Sequence, residues 1–507
     1  MSEKGYLLKV LGLSAVPRIA TFGLTVFSFP LMVRALGAAS YGVVVYLMSV
    51  VLLFESFVDC GVSSATGKAI ARTRVEHPEQ LRHELARWMK LQLMAASAGL
   101  ALAAIGGYYL ATRGSSGGAV SVPLFSIIVL TAWVAIGSSF IRATLNSLLQ
   151  FKHLAVIDVT ESLTRSAGYL FVAFVMPTMT ALVVAGLLTA LCSVALGIPL
   201  TLRALRRYSG NANTVGSPPG VPHKTIDRAM IMESLQFLGL RFATRAFQSL
   251  PLVIIGQTVG AEVVGIVGAF SRLVEMMSFP FTVIANALMV KIFEIKAGGA
   301  SALRDYWGVI ARICVLALVA SGGVLLLSGE IARAVVPKSP HGAVLFAIMS
   351  VLFLARCVSD LLAPASDYVG ALGRRVRFLG VCSVLQLPLI WLGAVSYGDL
   401  GAVAAVVAAY ALMILGYAYI AKRAFFGSQP YRPPNDVLLA AALTIAMLVC
   451  AVLVASVCAR SAWLMSLRIN PAFISTGFYV AVLLLVFLGI PPLNRLYPTL
   501  RFLELRQ

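Results

Sequence analysis

Ionisable side chains occur inside long apolar stretches of this sequence, where a charge is costly. Four of them are arginines: Arg18, Arg241, Arg245 and Arg272. A guanidinium stays charged at any physiological pH and binds a diphosphate group in bidentate fashion. We therefore predict that at least two of these four side chains face an anionic ligand.

A second set of charged residues in the apolar stretches is predicted to balance these arginines or to couple an ion. Its members are Glu55, Asp59, Asp158, Glu161, Arg165, Glu275, Arg356 and Asp360. Glu55 and Asp59 lie one turn apart on one helical face and carry like charge, so they need basic partners from other helices or a bound proton. Glu161 with Arg165, and Arg356 with Asp360, have a spacing of four and either pair within their helix or face a cavity.

The composition shows which kind of molecule must position these side chains. Of the 507 residues 60% are hydrophobic and only 12% are charged, with a mean hydropathy of +0.92. Soluble domains are about 45–50% apolar and about 25% charged. The chain is therefore predicted to be an all-α integral membrane protein. The cysteines are scattered and the histidines lie outside the apolar stretches, so we predict no metal site and no catalytic residue. The sequence has no Walker A motif, and we predict no cofactor.

Apolar runs of about 20 residues, the length that crosses a bilayer, divide the chain into spans. We predict about fourteen transmembrane helices, near residues 10–33, 42–65, 88–111, 120–144, 154–176, 180–204, 231–257, 263–290, 307–328, 343–369, 376–396, 399–421, 437–459 and 472–490. Charges are concentrated in particular spans. Spans one, two, seven and eight are predicted to line a polar space, whereas spans five and ten either join that lining or act as ion-paired struts.

The formal net charge of +20 is explained by membrane orientation. Lys and Arg residues in alternate connections outnumber those in the other connections by about four to one. The rich set includes Lys68, Arg72 and Arg206, and the poor set holds Arg113 and Arg333. This distribution predicts that both termini are cytoplasmic. Because the charges are spread over every inner loop, they do not form the patch that would bind nucleic acid or lipid headgroups.

The sequence contains a weak internal repeat. Arg18-Ile19-Ala20-Thr21 recurs as Arg241-Phe242-Ala243-Thr244, and Gly37-Ala38 with Gly42 recurs at the same separation as Gly260-Ala261 with Gly265. We predict an N-lobe of six helices at 1–207, a cytoplasmic linker at 208–229, a C-lobe of six helices at 230–423, and a last helix pair with a cytoplasmic tail at 424–507. Six helices per repeat relate the lobes by a pseudo-twofold along the membrane normal, a design typical of alternating access, so a transporter is predicted.

The first two spans carry motifs that resemble a known family. They are Leu36-Gly37-Ala38-Ala39-Ser40-Tyr41-Gly42, then Asp59-Cys60-Gly61-Val62-Ser63-Ser64-Ala65 at a helix end, then the basic Lys68-Ala69-Ile70-Ala71-Arg72. With a helix-one arginine, they resemble O-antigen and polysaccharide flippases of the Wzx type, within the multidrug/oligosaccharidyl-lipid/polysaccharide (MOP) exporter superfamily that includes the MATE transporters. This sequence departs from the family pattern at Cys60, where an apolar residue is usual.

The resemblance implies a function and its setting. It implies a bacterial inner-membrane protein that moves an undecaprenyl-diphosphate-linked oligosaccharide, an O-antigen or exopolysaccharide repeat unit, from the cytoplasmic to the periplasmic leaflet. A cationic cavity would bind the substrate, with H+ or Na+ as a coupling ion and membrane lipids and other polysaccharide-assembly proteins as partners. Two alternatives stay open: a cation-coupled drug exporter of the same fold, which predicts a mainly acidic cavity, and an O-antigen polymerase or ligase, which needs a large periplasmic loop.

Overall fold

The computed structural model describes residues 23–76, 80–113, 122–148, 150–210, 228–297, 299–337, 339–366 and 372–426. All regular elements in these ranges are helices. They are α1 (Gly23–Leu36), α2 (Ala38–Asp59), α3 (Val62–Glu76), α4 (Leu81–Arg113), α5 (Val122–Ser147), α6 (Phe151–Phe174), α7 (Met179–Gly210), α8 (Arg228–Thr258), α9 (Ala261–Ala297), α10 (Gly299–Leu326), α11 (Ser328–Val335), α12 (Gly342–Ser366) and α13 (Leu372–Phe426).

Within these ranges seven helices are long and apolar enough to cross a membrane, and α10 with α11, bent by 62°, would make an eighth. The predicted spans coincide with these helices at most positions. Spans eleven and twelve lie together in α13, which is interrupted at Gly398 by a left-handed backbone conformation (φ 60°). The count of fourteen stays a prediction, because the last two predicted spans fall outside the described residues.

The second predicted span is shorter than the hydropathy indicates. Instead of continuing to residue 65, α2 ends at Asp59, and Cys60 and Gly61 both have positive φ (47° and 72°). The chain then begins α3, a helix that contains Lys68, Arg72 and Arg74 and is too polar to continue the span. The break therefore places Asp59 at a corner between two helices, as the resemblance to a helix end at this motif implied.

The described part of the chain forms two compact units. The first holds α1 to α8, the start of α9 and residues 386–395. One hydrophobic cluster in it gathers α3, the beginnings of α4, α6 and α8, and the ends of α5 and α7; it contains Trp88, Leu148, Leu154, Leu205 and Met230. Among the described residues, the α3–α4 and α5–α6 connections, the end of α7 and the beginning of α8, all predicted to be cytoplasmic, therefore lie at one end of the unit.

Two turns of the first unit use the repeated glycines. Gly37 joins α1 to α2 and Gly260 joins α8 to α9, each with a φ that favours glycine (82° and 122°). A Cβ atom added at Gly42 would overlap the carbonyl group of Ala261, and one added at Gly265 would overlap the carbonyl group of Ala38. The contact is thus reciprocal between equivalent residues of the sequence repeat, which supports the repeat as a structural feature.

The second unit holds the rest of α9, then α10 to α12, and α13 outside residues 386–395. Its helices pack through aromatic pairs such as Phe270 with Phe346 and Phe281 with Phe353. At the Gly398 break, His341 Nδ1 lies 3.1 Å from Asp399 Oδ2. The unit boundary falls within α9, whereas the predicted linker at 208–229 lies almost wholly outside the described residues, so the division into two six-helix lobes stays a prediction.

Candidate functional site

The helices α2 and α8 of the first unit run antiparallel and meet along one face of each. The contacts join Tyr46 with Gly256, Glu55 with Arg245, Asp59 with Arg241, and Gly61 with Leu238. Positions 238, 241 and 245 are separated by three and four residues, so they form a single stripe on α8. Two ion pairs therefore lie one turn apart within an apolar helix pair.

The first ion pair is built at the corner between α2 and α3. Arg241 Nη1 lies 2.6 Å from Asp59 Oδ2, and the Asp59 side chain is only 1% exposed. The hydroxyl of Ser63, in the first turn of α3, donates a hydrogen bond to Asp59 Oδ1. Gly61 brings this corner against α8, where any Cβ atom would overlap the backbone at Ser234 and Leu238. The close approach of the backbones fixes the height at which Asp59 meets Arg241.

The second ion pair lies one turn farther along α2 and is looser. Arg245 Nη2 is 3.5 Å from Glu55 Oε1, longer than the roughly 2.7–3.2 Å of a well-formed N–H···O bond. The Arg245 side chain is 41% exposed, whereas Glu55 is 11% exposed. In both pairs the carboxylate is buried and the guanidinium is the more exposed partner, so the outer N–H donors belong to the arginines.

The second unit contains a different charge cluster. Glu275 accepts from Arg272 (2.6 Å) on its own helix and from Arg356 (3.0 Å) on α12. The hydroxyl of Thr282 donates to Asp360 Oδ2 at 2.7 Å. Arg356 thus pairs with Glu275 of α9. The pair with Asp360 in its own helix, which the spacing of four allowed, is not the one that forms.

The predicted charges of span five form a network in the first unit. Arg142 of α5 pairs with both Asp158 and Glu161 of α6, and Arg165 pairs with Glu161 one turn away. Ser193 of α7 also lies 3.4 Å from Glu161. Here the within-helix pair that the spacing allowed does form, and it is extended to neighbouring helices.

Sequence reasoning overlooked Arg142, Ser63 and Thr282. Arg142 lies near the end of the fourth predicted span, where basic residues commonly interact with the membrane surface. The short connection between α5 and α6 places Arg142 near Asp158, and this separation in the sequence could have indicated the pair. Of the four arginines predicted to face a ligand, Arg241, Arg245 and Arg272 each have a carboxylate partner, and Arg18 lies outside the described residues.

The arrangement on α8 is suited to anion binding. A guanidinium held by one buried carboxylate keeps further N–H donors for a second anion. Within the described residues, no three His, Cys, Asp or Glu side chains come together as metal ligands would.

A sequence model of the family described as "polysaccharide biosynthesis protein" matches residues 7–291, more than half of the chain. The chain belongs to this family. The match includes both ion pairs of α2 and α8 and the reciprocal glycine contact. No curated protein sequence matches the chain.

Solved structures show the fold of this polysaccharide biosynthesis protein. A structure of the lipid II flippase MurJ in an inward closed conformation has a TM-score of 0.63 at 14% identity, covering 93% of this chain and 98% of that chain. An inward-facing MATE family multidrug transporter of the MOP superfamily has a TM-score of 0.60 at 14% identity, covering 81% and 98%.

A MOP superfamily transporter from Pyrococcus furiosus has a TM-score of 0.58 at 12% identity, covering 83% of this chain and 97% of that chain. The predicted all-α membrane fold of the MOP superfamily is therefore confirmed.

Proposed function

We propose that this protein is a flippase for undecaprenyl-diphosphate-linked oligosaccharide, an O-antigen or exopolysaccharide repeat unit. It moves the substrate from the cytoplasmic to the periplasmic leaflet of the bacterial inner membrane by alternating access. Membership of a polysaccharide biosynthesis family and a fold shared with a lipid II flippase support the class of substrate. Both termini are cytoplasmic in this proposal, and transport requires no cofactor.

One observation carries the proposal: the stripe of two arginines on α8, each backed by a buried carboxylate of α2. Arg241 is 33% exposed and Arg245 is 41% exposed, one turn apart. Two guanidinium groups at this spacing can each bind one phosphate of a diphosphate. Arg272 and Arg18 are further candidates for the same role. The oligosaccharide would follow the diphosphate while the polyprenyl chain stays in lipid.

In this proposal an H+ or Na+ gradient or the membrane potential drives transport, because the sequence contains no Walker A motif. The carboxylates of the paired clusters, among them Asp360 and Glu275, are the candidates for ion coupling. Polysaccharide-assembly enzymes that build the lipid-linked unit and extend it afterwards are the expected partners.

The first prediction tests the arginine stripe. We expect Arg241→Gln and Arg245→Gln each to lower the rate of substrate flipping by about tenfold or more, because each removes a charge-assisted bond to the diphosphate. The measurement uses full-length protein in vesicles and a lipid-linked oligosaccharide whose accessibility in each leaflet is followed over time. Arg333→Gln is the matched control, because Arg333 is exposed and pairs with Glu330 on α11.

Unchanged flipping in both α8 variants would overturn the assignment of the site. The same vesicles separate the rival functions. A drug exporter would move an organic cation and leave the lipid-linked substrate in place, and a polymerase or ligase would give a longer or transferred glycan instead of a relocated one.

A further inference from the structure

The two ion pairs between α2 and α8 differ in a way that bears on how an anion enters. Asp59 is buried, its Oδ2 lies 2.6 Å from Arg241 Nη1 in an ion pair, and its Oδ1 accepts a hydrogen bond from the hydroxyl of Ser63. Glu55 is also mostly buried, but its distance to Arg245 is 3.5 Å and Arg245 is the most exposed member of the stripe. One pair is thus tightly held, and the other is held by a single long contact.

From this difference we infer a division of roles: Glu55 is an internal anion that a diphosphate displaces from Arg245, whereas Asp59 is a positioning residue that keeps Arg241 in place. The inference rests on the proposed function and deepens it, since it names the residue with which the substrate competes. A diphosphate offers two charged phosphates against one carboxylate, and the more exposed guanidinium can be reached first.

The surroundings of Asp59 explain why it does not leave. Its carboxylate lies at the end of α2, and the left-handed turn at Cys60 and Gly61 leads directly into α3. Gly61 packs against α8 without space for a Cβ atom, so the backbone that carries Asp59 is held in place, and the hydroxyl of Ser63 holds the carboxylate itself. Ser63, in turn, lies 3.4 Å from the buried Gln92 of α4, so a third helix supports the same corner.

Glu55 does not lie at a corner between two helices. It lies within α2, one turn before Asp59, where the helix is continuous. A rotamer change moves its carboxylate without moving backbone, so the contact with Arg245 can be exchanged at low cost. After the diphosphate has left, Glu55 re-forms the pair and prevents Arg245 from holding the substrate. Competition of this kind is expected to weaken binding and to speed release.

The test measures binding, which needs no transport. Purified full-length protein in detergent is titrated calorimetrically with farnesyl diphosphate, a short polyprenyl diphosphate, and with farnesol as the control lipid. We expect Glu55→Gln to bind the diphosphate about two- to fivefold more tightly, the size of an exchangeable, partly exposed ion pair. Asp59→Asn is expected to bind it more weakly, because Arg241 loses its fixed position.

Matched controls keep the comparison interpretable. Glu330→Gln removes the carboxylate of the exposed pair with Arg333 and should leave binding unchanged. Glu55→Asp retains the charge and should behave as the wild type or nearly so, which separates loss of charge from a packing defect. Each variant is checked for monodispersity and thermal unfolding. If Asp59→Asn is misfolded, Ser63→Ala replaces it. Ser63→Ala removes the hydrogen bond to Asp59 and should weaken binding less than Asp59→Asn would.

The outcomes separate this inference from the proposed function. If the wild type binds farnesol as well as farnesyl diphosphate, there is no diphosphate site and both fall. If Arg245→Gln weakens binding but Glu55→Gln leaves it unchanged, the proposed site stands and the displacement by substrate is wrong. If Asp59→Asn and Glu55→Gln both tighten binding, both carboxylates compete with the substrate and the positioning role of Asp59 is wrong.

Discussion

At the scale of single residues, charged side chains in the apolar helices differ in how many partners depend on them. In the part of the chain that the structure describes, Arg142 pairs with both Asp158 and Glu161, whereas Arg165 pairs with Glu161. Removing one partner of a desolvated ion pair costs more than the pair contributes, because the remaining charge loses its compensation. The cost of a substitution should therefore follow the number of carboxylates that it leaves behind.

This difference predicts unequal effects of two similar substitutions. We expect Arg142→Gln to destabilise the protein by about 1–3 kcal/mol, because two carboxylates lose a partner, and Arg165→Gln to destabilise it less, because Glu161 keeps Arg142. Thermal unfolding of the detergent-solubilised protein measures both. The double variant Arg142→Gln with Asp158→Asn should recover part of the loss, because it neutralises one of the two carboxylates that face Arg142 and leaves the pair of Glu161 with Arg165 in place. Equal destabilisation by the two single variants would contradict the bridging role of Arg142.

At the scale of the elements, α2 contacts two neighbouring helices of the first unit in two different ways. It meets α8 through the two ion pairs and the beginning of α9 through glycines. In the glycine contact, backbone meets backbone without side chains between, so carbonyl groups approach the neighbouring helix closely enough for Cα–H···O contacts. Such a contact has no flexible side chain that could give way to an added atom.

We therefore predict that Gly42→Ala and Gly265→Ala each separate the beginnings of α2 and α9. Each added methyl group overlaps a backbone carbonyl, Ala261 for Gly42 and Ala38 for Gly265, and overpacking of this kind costs about 1–3 kcal/mol. The matched control is Gly323→Ala in α10, where an added Cβ meets nothing within 4 Å. Thermal unfolding and the reactivity of a cysteine introduced at Ala38 measure the effect.

The control should unfold like the wild type or at a slightly higher temperature, since alanine favours a helix more than glycine does. A Gly42→Ala protein with wild-type stability and unchanged reactivity at position 38 would show that the two helices can separate without cost. The reciprocal contact would then have no structural importance.

The same elements show how far the sequence predicts this fold. Helix positions and the turns at Gly37 and Gly260 follow from hydropathy and from the glycine repeat. The end of α2 at Asp59 does not follow from hydropathy, because the residues from Cys60 to Ala65 are uncharged and the corner is set by packing of Gly61 on α8. The family was predicted from three short motifs in the first two spans and a helix-one arginine.

The candidate site was predicted less completely than the helices. Charge and depth identify Glu55, Asp59, Arg241 and Arg245, and like charge in α2 indicates that their partners come from elsewhere. Which arginine meets which carboxylate depends on the vertical offset of two antiparallel helices, and hydropathy contains no information on that offset. For the same reason the pairing of Arg356 with Glu275 rather than with Asp360 needed the structure.

At the scale of the whole molecule, the distribution of basic residues predicts the orientation. In the described part of the first unit, the connections rich in Lys and Arg converge on one hydrophobic cluster, at the opposite ends of the helices from the turns at Gly37 and Gly260. Because positive loops are retained on the cytoplasmic side, we predict that this end of the unit is cytoplasmic. In that orientation the ion pair of Asp59 with Arg241 lies toward the cytoplasmic end of α2, where a substrate from the inner leaflet would arrive.

The last prediction tests this orientation in both units with single cysteines. In a protein whose seven native cysteines are replaced by alanine, cysteine is introduced at Lys152 or Met176 in the first unit, and at Arg377 or Tyr397 in the second. All four positions are exposed, and each pair lies at opposite ends of one helical region. We expect a membrane-impermeant maleimide to label positions 176 and 397 in intact spheroplasts, and positions 152 and 377 only after permeabilisation, because the basic residues stay inside. The reverse pattern would show that the orientation in the membrane is opposite to the predicted one. Arg241 and Asp59 would then lie toward the periplasmic side, which the proposed direction of transport does not allow.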